Sequence, residues 1–240
     1  MRRIVGFVAI CLLIGAGGCA STQGAKSVEK SGFLGDYSML KEGQRSTIKE
    51  GSEDQALWIY KNPAVDWRKY KKIQLDPVTI WMSQKDSQLK DISVEDRQRL
   101  AALLWSKIDE QLRKDYVMTN QPGPDVIHIQ SAITEAGDSN ATLDTLTSIV
   151  PQTRLLSGMK SMATGVSLFT GSASVELKAT DSAAGTLLLA AVDRRGGTKS
   201  LSGVTNEWND VEEAYRFWAE KMRYRLCQFR GGMNCVEPKA

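Results

Sequence analysis

The chain has 240 residues, 42% of them hydrophobic, and a formal charge of +3 spread over 31 basic and 28 acidic side chains. That is enough sequence for one domain with a proper core. It is too evenly charged for the concentrated basic face of a nucleic-acid binder, and no apolar run reaches the ~20 residues that a membrane-spanning helix requires.

The first element is an export signal. Arg2 and Arg3 follow Met1, an apolar stretch runs from Ile4 to Ile14, and Gly15-Ala16-Gly17-Gly18 leads to Cys19. A basic segment, an apolar segment and small residues in that order form a cleavable signal. Gly17, Gly18 and Cys19 resemble a lipobox, with Ala16 where such boxes usually carry Leu. The expectation is cleavage before Cys19 and lipid on its thiol; ordinary cleavage after Ala20 is the rival. Ala20, where an Asp would signal retention, resembles the sorting pattern for the outer membrane. One acyl chain holds a protein marginally, whereas several hold it permanently. Loss of residues 1–18 takes two of the 31 basic side chains, leaving a mature chain of about +1.

Residues 19–31 are mostly small and polar and read as a flexible tether. Phe33, Leu34, Tyr37 and Leu40 then call for burial on a domain that begins at residue 32. A short strand is expected over Leu57–Tyr60, between a polar stretch and the Asn62-Pro63 turn. Ile73 and Leu75 alternate, Pro77 interrupts, and Val78, Ile80 and Met82 alternate again, a pattern of an edge or a bulge. Ser93–Tyr116 is the best helix. Ser93 caps it, and Val94, Leu100, Leu103, Leu104, Ile108 and Leu112 form its stripe. Ile127, Ile129 and Ile133 mark a strand over Asp125–Glu135.

Residues 141–171 carry only three charges, Asp144, Arg154 and Lys160. They read as two short helical pieces and a Gly-rich connection, either core or a surface for a partner. Ser174–Thr180 and Thr186–Arg194 form a hairpin. From Asn209 a second amphipathic helix presents Val211, Ala214, Trp218, Met222 and Leu226, with Glu212 completing a capping box.

Cys227 and Cys235 remain once Cys11 leaves with the signal and Cys19 takes lipid. In an oxidising compartment they are expected to pair, Gly231 and Gly232 letting the chain turn back. The bridge would contribute roughly 2–3 kcal/mol; two unpaired thiols in a frayed tail are the alternative. The single histidine, His128, points away from its isoleucine neighbours. It has no second histidine for a zinc-protease pair and no Gly-x-Ser-x-Gly elbow to serve. Arg68, Lys69, Lys71 and Lys72, interleaved with Trp67 and Tyr70, read as a patch for anionic lipid or cell-wall glycan, or as a solvated strand entry. Asp193, Arg194 and Arg195 could clamp a carboxylate or phosphate, or form a local ion-pair network. No metal site and no cofactor motif is present in the sequence.

Several separated motifs add a resemblance: Gly32–Leu40, Tyr70 with Asp76-Pro77-Val78, Ile149-Val150-Pro151-Gln152, Ala173-Ser174-Val175-Glu176, Gly185-Thr186-Leu187-Leu188, Ala190–Arg195, and Trp208 with Asp210-Val211. Together they resemble the bacterial lipoproteins grouped as domain of unknown function 3313, over roughly Gly32–Leu226. The resemblance implies an envelope lipoprotein and carries no catalytic residues to transfer.

The order of elements predicts a single two-layer α/β sandwich, a mixed sheet of about four or five strands with two long amphipathic helices on one face. The domain would span 32–229, followed by a tail over 230–240 with the disulfide loop. The expected role is that of a non-enzymatic outer-membrane lipoprotein facing the periplasm, with an envelope protein or a second copy as partner and no nucleic acid. A lipid- or glycan-binding module and a hydrolase built around His128, Asp193 or Arg194 are the alternatives.

Overall fold

The computed structural model describes residues 22–25, 27–43, 55–82, 88–138, 171–197 and 209–239. Cys19, the signal and nearly all of the charge-poor segment 141–171 lie outside the described residues.

The core of the sheet is built where the sequence alternates. β7 (Val126–Asp138), β8 (Gly171–Asp181) and β9 (Leu187–Gly197) are long antiparallel neighbours. Along β7 the even spacing sends Ile127, Ile129 and Ile133 to one face, where each is at most 1% exposed. Gly185, with φ of 69°, occupies the left-handed region in the turn between β8 and β9. β4 (Lys72–Leu75) and β5 (Thr79–Ile80) both run parallel to β7, one beyond the other, with Pro77 in the gap between them. Pro77 lacks an N–H for the ladder, so one strand becomes two on a shared edge.

Shorter strands complete the sheet. β1 (Thr22–Gly24) and β3 (Trp58–Lys61) share the free edge of β9, β2 (Lys41–Glu42) pairs β3, and β6 (Val117–Met118) pairs β4 in parallel. Among the described residues the sheet is mixed and open and has nine strands, in place of the four or five expected. β1, β2 and β6 are two or three residues long. A segment that short shows no alternation; it becomes a strand because a neighbouring edge offers it hydrogen bonds. β1 also corrects the reading of 19–31 as a flexible tether, since Thr22–Gly24 belong to the sheet and Thr22 is 1% exposed.

Two helices cover one face, as expected. α1 (Val94–Leu112) starts at Ser93, whose hydroxyl accepts the Asp96 N–H at 3.0 Å. Leu100, Leu104, Ile108 and Leu112 meet the sheet, each at most 1% exposed. Val94, expected in the same stripe, is exposed because the first turn extends past the packed region. α2 (Asn209–Phe229) buries Val211, Tyr215, Trp218 and Leu226 in the same core. Lys107 of α1 pairs with Glu212 of α2, and Arg223 with Asp115, so the two helices run side by side in the same direction. Glu212, read from sequence as part of a capping box, reaches Lys107 across the helix pair.

The opposite face carries a partial third layer that the sandwich prediction lacked. The strap over residues 27–40 crosses it, with Leu34, Tyr37 and Leu40 packed on Ala190, Val192 and Trp58. Glu176, fully buried in β8, accepts the Ser31 N–H at 2.7 Å and the Tyr37 hydroxyl. A polar group so placed can be buried only because the strap satisfies it. The register of β7 shifts between Ile133 and Glu135. That bulge turns Glu135 away from the apolar helix face and toward Arg194 (3.1 Å) and Ser174 (3.0 Å).

Candidate functional site

The three charged residues of β9 do not form one clamp. Alternation sends Asp193 and Arg195 under the helices and Arg194 to the strap face, so the two guanidiniums cannot close on a single anion. Asp193 is 4% exposed; it accepts the Leu57 N–H (3.2 Å) and the Trp218 indole N–H (2.8 Å), joining the entry to β3 to α2. Arg195 is 2% exposed. Its Nε donates to Thr22 Oγ1 at 2.9 Å, its Nη2 donates to Thr22 O at 3.0 Å, and its guanidinium lies 3.6 Å from the Phe217 ring centroid. A buried guanidinium keeps its donors satisfied and its face on an aromatic ring. The Arg195 side chain therefore reinforces the backbone ladder that pairs β1 with β9, a role no local motif announces.

Next to this pair an apolar cavity of about 110 Å³ lies between the sheet and the helices. Leu104, Ile108, Leu177, Phe217, Met222 and Phe229 contribute to its wall, and Asp193, Arg195, Lys221 and Arg225 stand on its polar side. Lys221 pairs with Glu237 at 2.9 Å, which fastens the C-terminal tail to α2. Sequence reasoning missed the cavity because its walls come from five separate elements, β3, α1, β8, β9 and α2.

The basic-aromatic cluster is a network of local pairs. Trp67 is buried, with its ring centroid 4.9 Å from that of Phe229. Lys69 Nζ and the Tyr70 hydroxyl both reach Asp181 Oδ2 at 2.8 Å, Lys72 lies 3.2 Å from Asp125, and Arg68 lies 2.9 Å from Asp66. Lys71 is exposed. Burial works to raise the Asp181 carboxyl, but Lys69, Tyr70 and the amides of Ala183 and Ala184 outweigh it and bring its pKa down to about 2. In the same region Cys227 and Cys235 are bonded, with Cα atoms 5.6 Å apart. A side chain at Gly232 would sit 2.6 Å from Cys227 Sγ, so the loop needs glycine there.

His128 faces the strap side of the sheet, its Nε2 2.9 Å from Asp76 Oδ2 but off the hydrogen-bonding direction. Gln130 donates to the same carboxylate at 2.9 Å. His128, Asp193 and Arg194 therefore do not converge: Asp193 is under the helices, and Arg194 bonds Glu135. Among the described residues no group of three or more His, Cys, Asp or Glu side chains is arranged to hold a metal ion. Among the same residues no helix is long and apolar enough to cross a membrane.

The fold is a helix-covered open mixed sheet whose N-terminal strand is fastened by a buried arginine. The family model described as a protein of unknown function, DUF3313, matches residues 29–222, and the chain belongs to that family. No curated protein matches it. Among solved structures it is similar to the PelC L103M dodecamer from Paraburkholderia phytofirmans, at 8% identity and a TM-score of 0.33, over 73% of this chain and 96% of that one. It is also similar to a candidate lipoprotein from Caulobacter crescentus CB15, at 11% identity and a TM-score of 0.34, over 70% and 94% of the two chains.

Proposed function

We propose that this protein is a lipoprotein of the bacterial envelope, cut before Cys19 and held by lipid on that thiol at the periplasmic face of the outer membrane. The observation that carries the reading is the run from Arg2 to Cys19: two basic residues, an apolar segment, and Gly17-Gly18 before the cysteine. The domain works by interaction, presenting its surface to another envelope protein or to a second copy. In support, the charged residues singled out from sequence are engaged in holding the fold, Asp193 and Arg195 inside it and Lys69 with Asp181 at its end.

The test is mass spectrometry and membrane fractionation of the native protein beside Cys19→Ser. The expected result is diacylglycerol on Cys19 and release from the outer membrane on substitution. A mature protein that begins after Ala20 and carries no lipid would overturn the anchor. For the interaction role, crosslinking in intact envelopes is expected to recover one stable partner, and a monomer with none would count against it.

A further inference from the structure

A lipid on Cys19 sets where the protein is tethered but not how the domain is turned. A free tether of residues 19–31 would have an end-to-end distance of about 20 Å and leave the domain free to tumble. β1 removes that freedom. Between Cys19 and Thr22 stand only Ala20 and Ser21, a reach of about 10 Å when fully extended. Thr22 itself is fixed by Arg195 and paired with Gly197, the last residue of β9. At that same end of the sheet β7 finishes, at Asp138, and β8 begins, at Gly171.

Toward the same end, the chain leaves β5 beside Ile133, five residues short of Asp138. Trp81 and Met82 continue from β5, past its pairing with Ile133, and are 43% and 42% exposed. Val94, at the start of α1, is 60% exposed. Arg97, one turn further along α1, places Nη1 3.3 Å from Met82 Sδ, so the start of the helix and the end of β5 form one patch. The Trp81 indole donates to Ser31 O at 3.2 Å and meets Phe33 edge-on. An amphipathic indole, two exposed apolar side chains and a guanidinium are the chemistry of the bilayer interface, where rings sit at headgroup level and cations meet phosphate.

The geometry points to a lipid bilayer as the partner of this end. We propose that Trp81, Met82 and Val94 seat in the headgroup layer and Arg97 meets lipid phosphate, while the Trp67–Lys72 cluster and the disulfide loop face away. The 19-residue α1 spans about 28 Å between the two ends. This orientation rests on the lipid reading of Cys19. It also means that the basic-aromatic cluster cannot bind the membrane to which its own chain is anchored.

The test uses the full lipidated chain in vesicles of phosphatidylethanolamine and phosphatidylglycerol with a nitroxide-labelled headgroup. A fluorophore is placed on Glu95→Cys, an exposed residue beside the patch, or on Arg68→Cys at the far end. At least threefold stronger quenching at position 95 is expected. The double variant Met82→Glu, Val94→Glu changes only exposed side chains, and should remove most of the difference while the lipid mass stays. Equal quenching at the two positions of a protein that carries lipid would overturn the orientation, and an unchanged difference in the double variant would overturn the patch. Absence of lipid on Cys19, read by mass and by loss of vesicle binding, would instead fell the anchor reading and the orientation with it.

Discussion

The two ends of the sheet are secured in different ways. At one, Asp181 gathers Lys69, Tyr70 and the amides of Ala183 and Ala184, all within its own corner, and a disulfide closes the chain beside it. At the other, Asp193 and Arg195 reach to Leu57, Trp218, Phe217 and Thr22, and Arg195 fastens a strand distant in sequence. The first end ties the β8–β9 hairpin to Lys69 and Tyr70, 112 and 111 residues earlier in the chain. The second ties β9 to Thr22, 173 residues earlier, three positions after Cys19. A buried charge at each end thus does different work: Asp181 closes the hairpin corner, and Arg195 mounts β1 on the sheet.

The largest effect should come from breaking the mounted end. Arg195→Ala removes the hydrogen bonds to Thr22 and the contact with Phe217 and leaves space beside an existing cavity, an expected loss of about 3–4 kcal/mol. Urea denaturation measures it, and amide hydrogen exchange in β1 should quicken while the Cys227–Cys235 end stays protected. If exchange in β1 is unchanged, Arg195 is not what fastens it.

At the other end, Asp181→Ala should cost about 2–3 kcal/mol, because four donors lose their acceptor. The pH dependence sharpens the comparison. The folded carboxyl titrates near 2, below its ordinary value of 3.8, so its contribution is complete above about pH 4 and is lost as pH falls toward 2. Stability of the native protein should drop through that window, and the Ala variant should show a smaller drop; equal slopes would contradict the assignment. Replacing both Cys227 and Cys235 by Ser should cost about 2 kcal/mol by releasing a short loop, seen as a lower melting temperature equal to that of the reduced native protein. Arg68→Ala should leave the melting temperature unchanged, since its pair with Asp66 is open to water.

Periodicity made the long elements legible. The stripe of Leu100, Leu104, Ile108 and Leu112, the Ser93 cap and the alternation of β7, β8 and β9 are written into adjacent residues, because burial on one face imposes its period on the chain. The hairpin at Gly185 and the family membership were equally legible, as were the cysteines that pair. Val94 was misplaced because a stripe does not say where a helix outruns its partner.

The site was harder to read. Asp193, Arg194 and Arg195 stand together in the sequence yet serve opposite faces, and their partners Thr22, Leu57, Trp218 and Glu135 lie far along the chain. Composition and pattern alone were enough for the class of fold and the two helices, because each is carried by contiguous residues. The nine-stranded sheet, the docking of Thr22 and the closeness of Trp81 to Val94 were decided by tertiary structure. Each depends on hydrogen bonds and packing between segments whose local sequence does not mention one another.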